Sequence, residues 1–213
     1  MKSFDSALYF ITDSTGFEEN EFLSRVEAAL KGGVTLVQLR EKEKSTRDYL
    51  ALAQKVHTRT KKYNVPLIID DRIDIAMAAD AEGVHLGQSD LPIEIARKIL
   101  GDRKIIGATA KTVPQALEAY HHGADYLGVG AIYPTTTKVI TIRTSTDTLR
   151  DICAAVPIPV NAIGGLNKDN IGILKDIPIS GICAVSAIMK ADNPQRAAQE
   201  LKAAFLHLRG ENL

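Results

Sequence analysis

Residues 35–71, TLVQLREKEKSTRDYLALAQKVHTRTKKYNVPLIIDD, contain two short apolar runs separated by one amphipathic segment. The runs Thr35–Glu41 and Val65–Asp70 are rich in aliphatic residues and predict strands. Between them, apolar residues recur at three- and four-residue spacing, as the buried face of a helix requires, and Ser45 stands at the expected N-cap. A helix of this length is a suitable crossover between parallel strands, so the stretch predicts one βαβ unit.

The same alternation continues along the whole chain. Eight strands are predicted: Ala7–Thr12, Thr35–Glu41, Val65–Asp70, Gly83–Gly87, Lys104–Ala110, Tyr126–Ile132, Pro159–Gly164 and Gly181–Ser186. Asn167 and Asn193 stand at further helix N-cap positions, the second followed by Pro194. Eight βα units without a linker predict one domain over residues 1–213, a (β/α)8 TIM barrel with its active site at the C-terminal ends of the strands. An open doubly wound sheet is the alternative, since the third and fourth helices are short, but no GxGxxG loop accompanies it.

The composition is that of an ordinary globular protein. Hydrophobic residues make up 45% of the 213 positions, and 26 basic residues balance 26 acidic ones. This balance gives no overall field that would attract nucleic acid or an anionic membrane, and no apolar run approaches the roughly 20 residues of a membrane span. A cytoplasmic protein is expected. Cys153 and Cys183 have no CxxC spacing, so neither a disulfide framework nor a zinc site is indicated.

Polar side chains follow the second and third strands. Alternation places Gln38, Arg40 and Lys42 on one side of the second strand, facing the end of the barrel where the active site is expected. A buried amide and guanidinium need partners, which favours contact with a ligand. The alternative is that Arg40 and Lys42 form surface ion pairs with Glu41 and neighbouring acids.

Carboxylates at two adjacent strand ends suggest a metal site. Asp71 follows the third strand and Asp90 follows the fourth, and hard oxygen ligands of this kind suit Mg²⁺ together with substrate phosphates. The alternatives are that Asp70 or Asp71 pairs with Arg72, and that Asp90 caps the next helix. His85, inside the fourth strand, is interpreted as a buried histidine with satisfied hydrogen bonds.

Donor groups for phosphate follow the later strands. The stretch 130–138, GAIYPTTTK, supplies three hydroxyls and an ammonium, and Gly164-Gly165 would let backbone N–H groups approach an anion. Residues 184–190, AVSAIMK, could open a short extra helix, and the loops after strands 7 and 8 form the usual phosphate site of such barrels. A phosphate-binding site is therefore predicted here, although a polar turn is the alternative for 135–138.

These motifs together resemble the thiamine-phosphate synthase family. The resemblance extends over nearly the whole chain, through YFITD, VQLREK, IIDDR, GVHLGQSD, GADYLGVGAIYPTTTK, NAIGGL and AVSAI. It implies a (β/α)8 barrel that joins hydroxymethylpyrimidine diphosphate to hydroxyethylthiazole phosphate, releasing diphosphate and forming thiamine phosphate. It also implies Mg²⁺ as the metal. The thiazole nitrogen would attack the methylene carbon directly, without a general base from the protein.

The resemblance also implies roles for particular residues. The pyrimidine diphosphate would be bound by Gln38, Leu39, Arg40, Glu41, Lys42, Asp70, Thr109 and Lys138, of which Arg40, Lys42 and Lys138 would assist the departing diphosphate. The thiazole phosphate would be bound by Thr135, Thr136, Thr137, Gly165, Val185 and Ser186, and the metal by Asp71 and Asp90. The chain departs from the family pattern where Asp70 replaces an Asn, Thr109 a Ser and Lys111 a His.

Two other functions fit a barrel of this kind. A thiazole tautomerase would need an acid–base histidine, but Lys111 stands at its position and the charged set at the strand ends would lack a purpose. A phosphate-binding regulator without catalysis is the second, and the complete charged set argues against it. The sequence leaves open whether the thiazole substrate is carboxylated and loses CO₂, and whether the protein is a homo-oligomer. The expected partners are small-molecule substrates, not nucleic acid or membranes.

Overall fold

The computed structural model describes residues 4–134 and 143–211. Its strands are β1 Leu8–Ile11, β2 Leu36–Leu39, β3 Leu67–Asp70, β4 Gly83–Leu86, β5 Ile105–Ala110, β6 Tyr126–Gly130, β7 Val160–Ile163 and β8 Gly181–Ala184. Its α-helices are α1 Glu19–Lys31, α2 Thr46–Lys62, α3 Ile73–Ala78, α4 Ile93–Leu100, α5 Val113–His121, α6 Thr146–Ala155, α7 Ser186–Met189 and α8 Pro194–Leu208. A 3₁₀ helix, Ile171–Leu174, lies between β7 and β8.

The eight strands form a closed parallel barrel. Each strand pairs with its neighbour in the sequence, and the circle closes where β1 pairs in parallel with β8, Tyr9 opposite Cys183. The predicted (β/α)8 architecture is confirmed, and the open sheet is excluded because a doubly wound sheet has two unpaired edges. Parallel closure places the C-terminal ends of all eight strands at one end of the barrel, here called the rim.

The helices follow the predicted positions with one correction. Ser45 and Asn193 cap α2 and α8, since each side-chain oxygen accepts a hydrogen bond from a backbone N–H three residues later. Asn167 does not cap a crossover helix: it lies in a turn, where its carbonyl oxygen accepts from the N–H of Ile171 and its side chain accepts from Asp169. The β7–β8 connection therefore carries only one turn of 3₁₀ helix, which is too short to require an α-helical cap.

Alternate strand residues face two separate apolar layers. Leu39 and Phe10 face outward into the layer between strands and helices, and both are fully buried. Tyr9, Leu36 and Tyr126 face inward and belong to the smaller cluster inside the barrel. Since side chains alternate along a strand, this assignment places Gln38 and Asp70 inside the barrel, toward the rim.

The α-helices surround the barrel and differ in length, from 4 residues in α7 to 17 in α2. Within residues 4–134 and 143–211, no helix is both long and apolar enough to cross a membrane. The third and fourth helices, α3 and α4, have 6 and 8 residues, as their short sequence segments predicted.

Candidate active site

Lys42 links two carboxylates at the rim. Its ammonium lies 2.8 Å from an oxygen of Asp70 and also donates a hydrogen bond to Asp71. The guanidinium Nε of Arg40 lies 3.8 Å from the same oxygen of Asp70. The basic residues thus face the strand beside them, β3, and do not form the surface pairs with neighbouring acids of their own loop that were the alternative. The pairing of β2 with β3 in the sheet creates this cluster.

The cluster shifts the pKa values of its members. Burial, together with the charge of Asp71, raises the pKa of Asp70 to about 6. Burial alone would lower the pKa of Lys42, but its hydrogen bonds and charge interactions with Asp70 and Asp71 outweigh that effect and raise it. Lys42 therefore remains a cation at neutral pH, which is the form that can bind a phosphate oxygen.

Asp71 and Asp90 lie close together on the same side of the rim. Burial raises the pKa of Asp90, and the neighbouring Asp71 carboxylate raises it further. One oxygen of Asp90 accepts a 2.7 Å hydrogen bond from the N–H of Gly87, and α4 begins later, with Pro92 at its N-cap. Asp90 is therefore not the helix cap that was the alternative.

The backbone conformation of Asp71 sets the direction of its side chain at the rim. Asp71 has a φ of 59°, in the left-handed region, and its N–H donates to the carbonyl oxygen of His85 at 2.9 Å. Arg72, the alternative partner for Asp71, instead donates to Asp74 at 2.8 Å through its Nε and to Thr46 through its outer nitrogen. Strained backbone of this kind is common at functional sites.

The donor set fits Mg²⁺. Two neighbouring carboxylates repel each other unless a cation lies between them, and Lys42 supplies only part of that charge. Across the described ranges no group of three or more His, Cys, Asp and Glu side chains is arranged to hold a metal alone. Mg²⁺ commonly uses one or two carboxylates with substrate phosphates and water, so a pair such as Asp71 and Asp90 matches the number of protein ligands that it needs.

Glu41 and Leu39 face away from the cluster. The Leu39 side chain is buried in the outer apolar layer, and its carbonyl oxygen accepts from the Tyr49 hydroxyl at 2.8 Å. Glu41 accepts a 2.8 Å hydrogen bond from Ser14, and its other oxygen, Oε1, is buried with no hydrogen-bond partner among the described residues. Of the predicted pyrimidine-diphosphate residues, these two could therefore reach a ligand at the rim only through backbone atoms.

The glycines after β7 permit a close approach between two loops. Gly165 has a φ of 63°, and a side chain there would lie 2.7 Å from Cβ of Tyr133 and 2.8 Å from the carbonyl oxygen of Pro134. The Gly165 carbonyl accepts from Asn170 at 2.8 Å. Packing against the β6 loop thus requires glycine here, a reason the sequence did not reveal.

The predicted phosphate region is described only in part. Beyond β8, the predicted extra helix is confirmed as α7, with Val185 at its N-cap and Ser186 exposed at its first position. Thr135, Thr136, Thr137 and Lys138 lie outside the described residues. The described chain leads to them along the Tyr133–Pro134 segment, which packs against Gly165.

A chain of hydrogen bonds crosses the barrel interior beneath the rim. Gln38 Nε2 donates to the Tyr9 hydroxyl at 2.7 Å, and that hydroxyl lies 2.7 Å from the hydroxyl of Tyr126. The Tyr126 hydroxyl lies 3.1 Å from Nδ1 of His85, whose Nε2 lies 3.0 Å from Oγ1 of Thr109. Thr109 and Gln38 were predicted to contact the pyrimidine diphosphate, and the interpretation of His85 as a satisfied buried histidine is confirmed. The two tyrosines were missed, because an aromatic residue in a strand gives no signal beyond core packing.

Similarity to known proteins shows the family of the chain. The family model described as thiamine monophosphate synthase matches residues 8–188. The chain belongs to the thiamine monophosphate synthase family. This confirms the resemblance of the motifs and the expectation of a transferase.

Individual members of the family match nearly the full length. A thiamine-phosphate synthase of Enterococcus faecalis is 51% identical over 194 residues, covering 91% of this chain and 92% of the relative. One of Clostridium tetani is 47% identical over 204 residues, with coverages of 96% and 98%. The solved structure of thiamine phosphate pyrophosphorylase from Pyrococcus furiosus is 39% identical and superposes with a TM-score of 0.85, covering 95% of this chain and 96% of that one.

Proposed function

We propose that this protein is a thiamine-phosphate synthase, which condenses hydroxymethylpyrimidine diphosphate with hydroxyethylthiazole phosphate. The proposal rests on one observation in a barrel that belongs to the thiamine monophosphate synthase family. Two basic and two acidic side chains meet at one side of its rim: Arg40, Lys42, Asp71 and Asp90. This group combines cationic donors with hard anionic ligands. Such a combination suits a diphosphate that departs with its charge neutralised.

In the proposed reaction one bond breaks and one forms. The bond between the pyrimidine methylene carbon and the diphosphate oxygen breaks, and the diphosphate keeps the electron pair. The lone pair of the thiazole nitrogen then forms the new C–N bond at the methylene carbon. No proton is transferred in this step, so the site needs no general base. The charged residues at the rim are arranged as ion pairs, which is consistent with a reaction that needs charge neutralisation and no proton transfer.

The basic residues would act on the leaving group. Arg40 and Lys42 are held by Asp70 before substrate arrives, so their positions are fixed while their charges remain available. A diphosphate gains negative charge as it departs, and cations fixed in advance stabilise that state more than the bound substrate. Lys138, assigned by resemblance, would join them from the loop after β6.

Asp71 and Asp90 would hold Mg²⁺, which would neutralise charge on the diphosphate oxygens. The protein would orient both carboxylates for this role. The Gly87 N–H fixes one oxygen of Asp90, and the left-handed backbone at Asp71 directs that residue toward it.

The thiazole phosphate would bind on the opposite side of the rim. Gly165, Val185 and Ser186 lie on the loops after β7 and β8, where phosphate sites of such barrels usually form. Thr135, Thr136 and Thr137 would complete the site by resemblance. A phosphate held there would place the thiazole nitrogen opposite the methylene carbon, so proximity would supply much of the rate.

The test is direct synthesis. Purified protein is incubated with Mg²⁺ and both substrates, and thiamine phosphate and diphosphate are quantified together. Equal amounts of both products support the proposal, and failure to form either at any Mg²⁺ concentration would sink it. Supplying the carboxylated thiazole phosphate in a parallel reaction, with CO₂ measured, decides which form of the thiazole is used.

A further inference from the structure

We propose that Tyr9, Tyr126 and His85 are positioning residues for the pyrimidine end of the site. They belong to one chain of hydrogen bonds in which every proton is donated in the same direction along the chain. This direction fixes which atoms of Gln38 and Thr109 face the pyrimidine. The inference rests on the proposed function, since it concerns the pyrimidine end of the same site. The chain is defined by the five residues in order: Gln38, Tyr9, Tyr126, His85 and Thr109.

The direction of the chain follows from counting protons. The Tyr9 oxygen accepts from the amide of Gln38, so the single Tyr9 proton is left for the oxygen of Tyr126. The Tyr126 proton is then donated to Nδ1 of His85. A neutral imidazole that accepts at Nδ1 carries its proton on Nε2, and this proton is donated to Oγ1 of Thr109.

The consequence appears at the two ends of the chain. The hydroxyl oxygen of Thr109 already accepts from His85, which leaves its proton to be donated to a ligand. Gln38 uses an amide hydrogen on Tyr9, so its carbonyl oxygen is the acceptor left for a ligand. The site therefore offers a donor at Thr109 and an acceptor at Gln38. An aminopyrimidine offers the matching pair, a ring nitrogen that accepts and an exocyclic amine that donates.

Burial keeps this arrangement from changing. Tyr9 and Tyr126 are 1% and 0% exposed, and the rings of Phe4, Tyr9 and His85 all lie within 5.7 Å of the Tyr126 ring, centroid to centroid. Burial, with smaller contributions from neighbouring groups, raises the pKa of both tyrosines well above the usual value, so each keeps the one proton that the chain requires. A buried hydroxyl without a partner is costly, so reversing one link would require reversing all of them.

The reversed chain makes a different prediction. If Gln38 accepted from Tyr9, each later proton would move to the other side of its hydrogen bond, and His85 would carry its proton on Nδ1. Thr109 would then donate to His85 and offer an acceptor to the ligand. That site would match a pyrimidine bearing an oxo group and a ring N–H in place of the amine. The tautomer of His85 therefore reports the direction of the whole chain.

The first experiment measures this tautomer without substrate. Protein labelled with ¹⁵N-histidine is studied at neutral pH by two-bond ¹H–¹⁵N correlations, and the His85→Gln variant assigns the His85 signals. We expect a neutral ring protonated at Nε2; a ring protonated at Nδ1 would overturn the proposal. His57 gives a reference set of signals in a different setting, because its Nδ1 lies 2.9 Å from the carbonyl oxygen of Ala79 and its Nε2 lies 3.0 Å from a carboxylate oxygen of Glu82.

The second experiment measures discrimination between substrates. Tyr9→Phe and Tyr126→Phe each remove one link, and kcat/KM is compared for the aminopyrimidine diphosphate and its oxo analogue. We expect the preference for the amine to fall about tenfold or more in both variants, with KM for the thiazole phosphate unchanged. Unchanged preference in both variants refutes the proposal.

Tyr49→Phe is the matched control for these variants. It removes an equally buried hydroxyl, which bonds the carbonyl oxygens of Leu39 and Asp70 and does not belong to the chain. We expect it to lower stability to a similar extent while retaining the preference for the amine. If the wild-type protein forms no product, the proposed function fails, whereas the tautomer of His85 still decides the direction of the chain.

Discussion

The substitution Gly107→Ala tests the packing on which the interior chain depends. Gly107 faces into the barrel on β5, and a methyl group there would overlap Cζ, Cε1 and the hydroxyl oxygen of Tyr126. The Tyr126 ring is completely buried and cannot move into solvent. Overpacking of a core costs about 1–3 kcal/mol, and displacing the hydroxyl from Tyr9 and His85 adds about 1–3 kcal/mol for the polar groups left unpaired. We expect the free energy of unfolding to fall by about 2–6 kcal/mol.

Urea denaturation provides the measurement. The chain contains no tryptophan, so tyrosine fluorescence and far-ultraviolet circular dichroism are followed together, and coincident transitions justify two-state fitting. Gly172→Ala is the matched control, because a side chain at Gly172 would meet no atom within 4 Å. We expect the control to change stability by no more than about 0.5 kcal/mol. A Gly107→Ala variant as stable as the control would refute the packing argument.

Four further outcomes are expected. Asp90→Asn retains an acceptor for the Gly87 N–H, so it should leave stability nearly unchanged. It should raise the Mg²⁺ concentration needed for half-maximal activity at least about tenfold, whereas the exposed control Asp74→Asn should not. Equal Mg²⁺ requirements in the two variants would make Asp90 structural. Burial raises the pKa of Glu41, so the native state holds its proton more tightly and wild-type unfolding free energy is lost as pH rises through that pKa. Glu41→Gln should lack that loss in urea titrations across pH, and parallel pH profiles would contradict the assignment. Burial raises the pKa of Cys153 to about 11, so at pH 8 iodoacetamide should modify it about 100-fold more slowly in the native than in the unfolded protein, as followed by mass spectrometry; similar rates would refute its burial. Lys138→Ala should lower kcat more than it raises KM for the thiazole phosphate, and a change in that KM alone would argue against a role at the leaving group.

Much of the candidate site was predictable because it lies at strand ends. Periodicity located the eight strands, and in a parallel barrel every strand ends at the same rim, so Gln38, Lys42, Asp71 and Asp90 could be assigned to one region. The residues whose side chains face elsewhere, Leu39 and Glu41, were included because a motif gives the order of residues without the direction of each side chain. The partners within the rim were not predictable: neighbouring acids in the sequence were as plausible for Lys42 as Asp70 and Asp71.

The sequence by itself determined the repeating βα order, the barrel class and the family, because these depend on hydrophobic periodicity and on motifs read along the chain. Tertiary structure decided which groups meet. Lys42 pairs with a strand 29 residues away, and Tyr9 bonds Tyr126 across 117 residues. The first contact depends on the pairing of β2 with β3. The second arises only when the sheet closes, because closure brings inward-facing residues of distant strands into one interior. The direction of the hydrogen-bond chain from Gln38 to Thr109 also depends on closure. Each hydroxyl or ring nitrogen in the chain donates or accepts according to the residue that the closed barrel places beside it.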